Sequence, residues 1–174
     1  VQRLTKLSTV LLALSTGNTN TLEHTPFDIV ASTKMLVERY DPTGKRIVVE
    51  SSKIPLIVTG HQPSVDELLT ILIDNALKYS PDDSLVIIRL LQHQKAVIRI
   101  TNTGSGILPE HLPRIFDRFY RADASRSGNS GHGLGLALAR QISDLHKAEL
   151  RVTSTPNQST EFSFSLPIIR ESTA

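Results

Sequence analysis

The stretch Ser127-Gly-Asn-Ser-Gly-His-Gly-Leu-Gly-Leu136 differs more from ordinary core or surface composition than any other part of this 174-residue chain. It contains four glycines: Gly128, Gly131, Gly133 and Gly135. Glycines let the main chain approach a ligand closely, and apolar residues at helical spacing follow from Leu134 to Leu145. The glycines therefore precede a helix, where free N–H groups and the helix dipole favour a phosphate. Taken alone, a flexible loop that ends in a helix cap explains the same residues equally well.

Composition places the chain among soluble single-domain proteins. A hydrophobic content of 39% and a charged content of 21% suffice for one well-buried domain. The formal charge of +2 comes from scattered Lys and Arg, which predicts no binding to DNA or RNA. The absence of cysteine excludes disulfides and thiolate metal sites. No apolar run approaches the roughly 18 to 20 residues that span a bilayer.

The first 20 residues have a pattern of their own. Val1–Ser15 carries leucines at helical spacing and the breaker run Thr16–Asn20 follows, which predicts an amphipathic helix and a linker. We expect this helix to pack on a partner helix. Because the chain starts at Val1 and its single methionine is Met35, we expect a piece of a longer protein, with any membrane anchor upstream.

The remaining residues alternate helical and strand patterns. The predicted helices are one capped by Asp28 that ends near Asp41, a second over Ser64–Tyr79 and a third over Leu134–His146, and the predicted strands are Ile47–Glu50 and Leu56–Thr59 as a hairpin, then Leu85–Leu91, Ala96–Thr101, Glu149–Thr153 and Glu161–Leu166. This order predicts an α/β (α+β) two-layer sandwich, a mixed sheet with helices on one face. The irregular segment Asn102–His132, with one helical turn around Glu110–Phe119, is typical of a lid over a ligand.

Polar residues on the strongest predicted helix form a candidate site. Asn75 interrupts an apolar run, and Ile71, Lys78 and Tyr79 lie one turn away on its face. An Asn oxygen suits Mg²⁺, Lys78 would neutralise phosphate charge, and Tyr79 would lie against a base. Taken alone, an exposed helix edge is the simpler explanation.

Two further segments have unusual residues. Asn102-Thr-Gly-Ser-Gly106 follows a strand directly and predicts either a binding loop or a plain turn. In the lid, we expect Phe116 and Phe119 to pin the segment to the core. The lid arginines that could reach a terminal phosphate are Arg114, Arg118, Arg121 and Arg126.

Together, four segments resemble the N, G1, F and G2 boxes of the sensor histidine kinase catalytic domain, which belongs to the GHKL ATPase superfamily. They are Asp74-Asn-Ala-Leu-Lys-Tyr-Ser80, Asn102-Thr-Gly-Ser-Gly-Ile107, Arg114-Ile-Phe-Asp-Arg-Phe-Tyr-Arg121 and Gly131-His-Gly-Leu-Gly-Leu136. Four boxes in one order are far more specific than any one alone, and the resemblance runs from about Phe27 to Pro167. It implies that residues 1–20 are the end of the second dimerisation helix plus a linker, and that residues 21–174 are the ATP-binding catalytic domain.

The resemblance also implies ATP and Mg²⁺ as cofactors, with a role for each box. Asn75 would bind Mg²⁺, Lys78 a phosphate, and Tyr79 would lie by the base; Asn75, Lys78 and Arg118 are the implied catalytic residues. Asn102, Gly104, Gly106 and Ile107 would lie at adenine, and Gly131, His132, Gly133, Leu134, Gly135 and Leu136 would wrap the triphosphate. The γ-phosphoryl would pass to a histidine on the protein's own dimerisation domain, in a homodimer, and then to an aspartate of a response regulator. The domain would be the cytoplasmic part of a plasma-membrane sensor.

Three departures from the family pattern change these expectations. Asn102 replaces the usual Asp, so the hydrogen bond to adenine would lose its charge assistance. Ile71 replaces a polar residue and cannot orient water, so we expect poor ATP hydrolysis. Pro156–Thr160 lacks the glycines that relatives place there, which leaves the geometry of this turn open.

None of the six histidines lies in the His-Glu-Leu-Arg-Thr-Pro setting of the phosphorylated helix, and we expect each to be a solvated or loop residue. The chain is therefore expected to bind ATP without phosphorylating itself. Ile71 and Asn102 also leave open a nucleotide-binding regulatory module without kinase activity. A hydrolytic GHKL ATPase of the gyrase or mismatch-repair type and a serine kinase of the anti-sigma type are weaker alternatives.

Overall fold

The computed structural model describes residues 22–122 and 133–169. The predicted helix Val1–Ser15, the predicted boundary at residue 20, and Gly131 and His132 of the G2 box lie outside these residues. The elements are β1 (Thr25–Asp28), α1 (Ile29–Tyr40), β2 (Ile47–Ser51), β3 (Ile57–Gly60), α2 (Gln62–Tyr79), β4 (Val86–Gln92), β5 (Ala96–Thr103), a 3₁₀ turn (Leu112–Arg114), α3 (Gly135–Leu145), β6 (Arg151–Thr155) and β7 (Ser159–Leu166).

A five-stranded mixed sheet forms one layer of the fold, in the order β2-β4-β5-β7-β6. The pair β2-β4 is parallel and the other neighbours are antiparallel. Every second residue of β4, β5 and β7 is buried, so one face of the sheet meets the core. The prediction of a mixed sheet with helices on one face is confirmed.

The helices cover that face with apolar residues at helical spacing. In α2, Leu68, Leu69, Leu72 and Ile73 are buried, and Ile142 of α3 is buried beside them in one hydrophobic core. The predicted cap of α1 is also present, because the Asp28 carboxylate accepts a hydrogen bond from the Val30 N–H at 3.0 Å. Helix α2 reaches Tyr79 as predicted, which carries the N-box residues to the edge of the molecule.

The predicted hairpin of the second and third strands is wrong. β2 pairs in parallel with β4, whereas β3 pairs antiparallel with β1. Val58 of β3 also forms a bridge with Ile168 near the other end of the described chain. β1 was not predicted, because only Phe27 of its four residues is buried and no alternating pattern marks it.

A buried carboxylate fixes the loop after α1 against the end of α2. Asp41 accepts hydrogen bonds from the N–H groups of Arg46 and Ile47, at 2.6 and 2.9 Å. The Arg46 N–H is the main cause that lowers the pKa of Asp41 to about 2. The Arg46 guanidinium in turn donates to Ser80 Oγ at 3.1 Å, directly after the N-box residues of α2.

Candidate nucleotide-binding site

The end of α2 presents the N-box side chains to solvent. Asn75 is half-buried, Lys78 is exposed and Tyr79 is 50% exposed, with Lys78 Nζ 5.2 Å from the centre of the Tyr79 ring. The Asn75 side chain makes no hydrogen bond to the parts of the chain that the structure describes. Its carboxamide is therefore available to a ligand, together with an ammonium group one turn further on.

The G1 loop, Asn102–Ile107, begins inside a strand, since β5 extends two residues beyond the predicted end at Thr101. Asn102 is only 4% exposed, and its Nδ2 donates to the Thr103 carbonyl at 2.9 Å. This bond uses one of the two N–H groups of the carboxamide, and the oxygen remains the group that can accept a hydrogen bond. The Asn102 side chain can thus accept a hydrogen bond from a ligand through its oxygen.

Gly104 brings this loop against the end of α2. Its φ is +155°, and an added Cβ would lie 2.1 Å from the Tyr79 carbonyl oxygen. No other residue type fits such a contact without moving the backbone. The G1 loop and the N box therefore share one wall of the site.

The F segment, Arg114–Arg121, follows a short 3₁₀ turn instead of the predicted helical turn. Phe116 packs edge-on against the buried Phe162, with ring centres 6.4 Å apart, so its predicted anchoring contact is present. The same prediction is wrong for Phe119, which is 72% exposed at a φ of 64°. Its backbone, not its ring, makes the contact: the Phe119 N–H donates to the Gly133 carbonyl at 2.9 Å.

The predicted phosphate-contacting arginines differ in their surroundings. Arg114 lies 4.4 Å from the centre of the Tyr120 ring and 3.6 Å from the Asp117 carboxylate. Arg118 is exposed and makes no side-chain hydrogen bond or ion pair with the described residues. The Arg118 side chain can therefore turn towards an anion, while Arg126 lies outside residues 22–122 and 133–169.

The G2 box ends where α3 begins. Gly133 adopts a φ of +66° and sits so close to Phe119 that an added Cβ would lie 2.7 Å from the Phe119 carbonyl carbon. Leu134 is the N-cap residue of α3 and provides no side-chain cap, so the first N–H groups of the helix keep their anion-binding capacity. Leu136 is half-buried against the core.

Helix α3 starts directly beside α2, at a point one turn before Asn75 of the N box. The Cβ that Gly135 lacks would lie 3.5 Å from Ile71 Cγ2, and Ile71 itself packs against the core. The structure thus brings the N box, the G1 loop, the F segment and the start of α3 to one place. Ile71 faces this place with an apolar side chain, as the sequence indicated.

Three residues that contact the site were not identified from the sequence: Ser154, Asn157 and Thr160. Ser154 Oγ accepts a hydrogen bond from the Ile107 N–H at 2.8 Å and lies 2.8 Å from Thr160 Oγ1. Asn157 adopts a φ of 58°, so an Asn occupies the left-handed position of the turn that lacks glycines. The dipeptide Pro156-Asn157 is a turn signal that could have indicated this geometry.

Among the five histidines that the structure describes, His146 differs from the expectation of a solvated or loop residue, because it is buried. Its Nδ1–H donates to the Ile142 carbonyl at 2.9 Å, and its Nε2 accepts from the His61 N–H at 3.1 Å. The His24 ring stacks on it, with ring centres 4.9 Å apart. Burial is the main cause that lowers the pKa of His146.

Comparison with known proteins identifies the class of domain that has this fold and site. The model of the histidine kinase-, DNA gyrase B-, and HSP90-like ATPase family matches residues 60–170. The chain belongs to this family, as the four boxes indicated. Its described helices include none that is long and apolar enough to cross a membrane.

Individual relatives narrow the class to sensor histidine kinases. The chain is 35% identical to the sensor histidine kinase YkoH of Bacillus subtilis over 89% of this chain and 35% of that protein. It is 36% identical to the probable sensor protein PcoS of Escherichia coli, over 98% of this chain and 37% of that protein. The structure of the mycobacterial sensor histidine kinase MprB superposes with a TM-score of 0.70 at 30% identity, over 85% of this chain and 99% of that one. The chain is thus an ATP-binding catalytic domain of the histidine kinase type, and it spans about a third of the length of these curated relatives.

Proposed function

We propose that this domain transfers the γ-phosphoryl group of Mg²⁺-ATP to a histidine on the dimerisation domain of its own protein. The phosphoryl group then passes to an aspartate of a response regulator, and the whole protein acts as a homodimeric sensor anchored in the plasma membrane. The observation that carries the proposal is the convergence of four boxes: Gly104 lies against Tyr79, Gly133 against Phe119 and Gly135 against Ile71.

In the proposed complex, the base lies beside Tyr79 and the G1 loop, and the Asn102 oxygen accepts a hydrogen bond from the adenine amino group. The triphosphate lies at the start of α3 and along residues 131–136. The N–H groups at the start of α3 support this placement, because no side chain caps them and a helix N-terminus favours an anion.

Asn75 is proposed as the protein ligand of Mg²⁺. The described residues hold no cluster of three or more His, Cys, Asp or Glu side chains that could bind a metal ion by themselves. Asn75 offers one carboxamide oxygen, which fits an ion that arrives with the nucleotide and keeps phosphates and water as its other ligands. When bound, Mg²⁺ neutralises charge on the phosphates of ATP.

Catalysis in this proposal consists of positioning and charge neutralisation, as is typical of phosphoryl transfer. Lys78 offsets phosphate charge, Arg118 approaches the terminal phosphate, and the glycine N–H groups hold the chain of phosphates in line. No residue on the N-box face is needed as a base for water, because the acceptor is a histidine of another domain.

Ile71 favours this proposal over a hydrolytic ATPase. A carboxylate base would have to stand one turn before Asn75, and Ile71 occupies that position with its side chain between the core and Gly135. A nucleotide-binding regulatory module without kinase activity is the remaining alternative, favoured by the loss of charge at Asn102.

A transfer experiment separates these functions. The 174-residue chain is mixed with a separately purified dimerisation domain, Mg²⁺ and ATP labelled at the γ-phosphate, and the expected result is label on the histidine of that domain. The same domain with its histidine replaced by glutamine is the control. ATP binding without transfer would leave the regulatory module as the function, and rapid release of labelled phosphate without transfer would favour the hydrolytic ATPase.

A further inference from the structure

The G1 loop takes its position from the β6–β7 hairpin. The Gly104 N–H donates to the Gln158 carbonyl at 3.1 Å, and the Asn157 N–H donates to the Ser105 carbonyl at 2.7 Å. At Gly106, an added Cβ would lie 2.4 Å from the Thr155 carbonyl oxygen. The loop and the hairpin are therefore docked backbone against backbone.

One side chain completes this docking. The Ser154 hydroxyl accepts from the Ile107 N–H at 2.8 Å and donates to the Ser159 carbonyl at 2.9 Å. Since a hydroxyl has one hydrogen, Thr160, whose Oγ1 is 2.8 Å away, must be the donor in their mutual bond. Ser154 thus uses its full hydrogen-bonding capacity, and one of its three bonds holds the far end of the G1 loop.

The hairpin itself does not depend on this hydroxyl. β6 and β7 are paired from Arg151 with Ser163 to Thr155 with Ser159, and β7 is paired with β5 along its whole length. Phe162 of β7 is buried in the core. Removing the Ser154 hydroxyl should therefore leave the sheet intact and leave the Ile107 N–H without its partner.

We propose that Ser154 is a positioning residue for nucleotide binding, which acts through the Ile107 N–H and fixes the G1 loop where the base would lie. This inference rests on the proposed function of the site. Asn102 is held in β5 and Gly104 against Tyr79. The second half of the loop is held by the Asn157 bond to the Ser105 carbonyl and by the Ser154 bond to Ile107, and the Ser154 bond is the one that a side chain provides. Thr160 supports it by donating to Ser154.

Calorimetric titration of the 174-residue chain with ADP and Mg²⁺ tests this role. Ser154→Ala should raise the Kd by roughly three- to tenfold, the effect of leaving one N–H without its partner. Ser154→Thr keeps the hydroxyl and should restore the Kd to within about twofold of the original value. Ser163→Ala is the matched control, because Ser163 lies on β7 and its side chain makes no hydrogen bond within residues 22–122 and 133–169.

Amide hydrogen exchange without nucleotide gives a second readout. Ser154→Ala should speed exchange at Ile107 and Gly104 and leave the amides of β5 protected, whereas Ser163→Ala should change none of them. An unchanged Kd for Ser154→Ala, in a chain that binds ADP normally, would overturn this inference alone. Failure of the unaltered chain to bind ADP would overturn the proposed function and this inference together. A weakened Kd that Ser154→Thr does not restore would show a structural role instead of positioning.

Discussion

At the scale of single residues, Asn75 offers the most direct test of metal-dependent binding. Asn75→Ala should weaken binding of ADP with Mg²⁺ by at least about tenfold, because a bond to a charged group contributes more than about 1.4 kcal/mol. The melting temperature should change by no more than about 2 °C, since Asn75 is half-buried and makes no side-chain hydrogen bond to the described residues.

Calorimetry with and without EDTA checks this prediction, and Gln94→Ala, an exposed carboxamide in the turn between β4 and β5, serves as the control. If Asn75→Ala binds ADP as tightly as the original chain in Mg²⁺, Asn75 is not the metal ligand.

The Asn102 carboxamide has two hydrogen-bond partners in this account: the Thr103 carbonyl and, in the proposed complex, the adenine amino group. Asn102→Asp should tighten ADP binding by roughly fivefold, because a carboxylate forms a charge-assisted hydrogen bond with the adenine amino group. It should also lower the melting temperature of the nucleotide-free chain, since a carboxylate oxygen would replace the nitrogen that now donates to the Thr103 carbonyl at 2.9 Å.

The two effects of Asn102→Asp are measured separately, by calorimetry and by thermal unfolding. Weaker or unchanged ADP binding would contradict the assignment of Asn102 to adenine. An unchanged melting temperature would contradict the structural account of its amide nitrogen.

Residue patterns in the sequence predicted where polar groups cluster, but not how each side chain is oriented. Phe116 and Phe119 are the same residue type and lie three positions apart, yet Phe116 contacts Phe162 and Phe119 is exposed. Phe119 instead contacts the rest of the domain through its backbone, by a hydrogen bond to Gly133, 14 positions away, and no local pattern reports such a contact. Ser154 was missed for the same reason, since its partner Ile107 is distant in sequence.

At the scale of elements, strand positions were predictable and strand partners were not. Ile47–Ser51 and Ile57–Gly60 are short and close in sequence, which favours a hairpin by the usual local rule. Their actual partners are β4 for β2 and β1 for β3. A parallel pair such as β2-β4 needs a crossover connection, here one that includes α2, and no local turn signal reports it.

The C-terminal end of α3 is expected to make stability depend on pH. His146 is neutral in the folded state: its Nδ1–H and its Nε2 lone pair are both in hydrogen bonds, and its pKa is lowered, first by burial and further by the nearby His24 and His61. The unfolded chain takes up a proton at this histidine near its ordinary pKa of about 6.5, while the folded chain resists protonation. The free energy of unfolding should therefore fall as the pH drops below about 6.5, with a slope of at most about 1.4 kcal/mol per pH unit from this group.

Urea denaturation between pH 7.5 and 5.5 measures this slope. His146→Gln should show a smaller loss over the same range, whatever its stability at pH 7.5. His93→Gln, in the exposed turn between β4 and β5, is the control and should keep the full slope. Equal slopes for all three proteins would show that His146 is not the group responsible.

At the scale of the whole molecule, the domain is expected to bind ATP and yet consume almost none. No histidine lies in the His-Glu-Leu-Arg-Thr-Pro setting of the phosphorylated helix. Three are also engaged within the domain: His146 is buried, His61 is bonded through Nδ1 to Ser64 at 2.7 Å, and His111 through Nδ1 to Tyr120 at 2.7 Å. Water is not expected to act as the acceptor either, because the apolar side chain of Ile71 cannot activate it. Incubated alone with Mg²⁺ and γ-labelled ATP, the chain should neither acquire label nor release phosphate faster than about one turnover per hour, far below the range of about 1 to 100 per second for kinases with their substrates.

The prediction is that the chain binds nucleotide but neither labels itself nor hydrolyses ATP. Binding and both activities must therefore be measured on the same preparation. Calorimetry first establishes the fraction of chains that bind ADP, and gel autoradiography and released phosphate then report label and hydrolysis for that fraction. Addition of a dimerisation domain with its histidine should start transfer without raising hydrolysis, since the acceptor supplies the nucleophile that the Ile71 face lacks. Self-labelling of the chain alone would place an acceptor among its own six histidines, and hydrolysis that equals transfer would show that water reaches the γ-phosphoryl group despite Ile71.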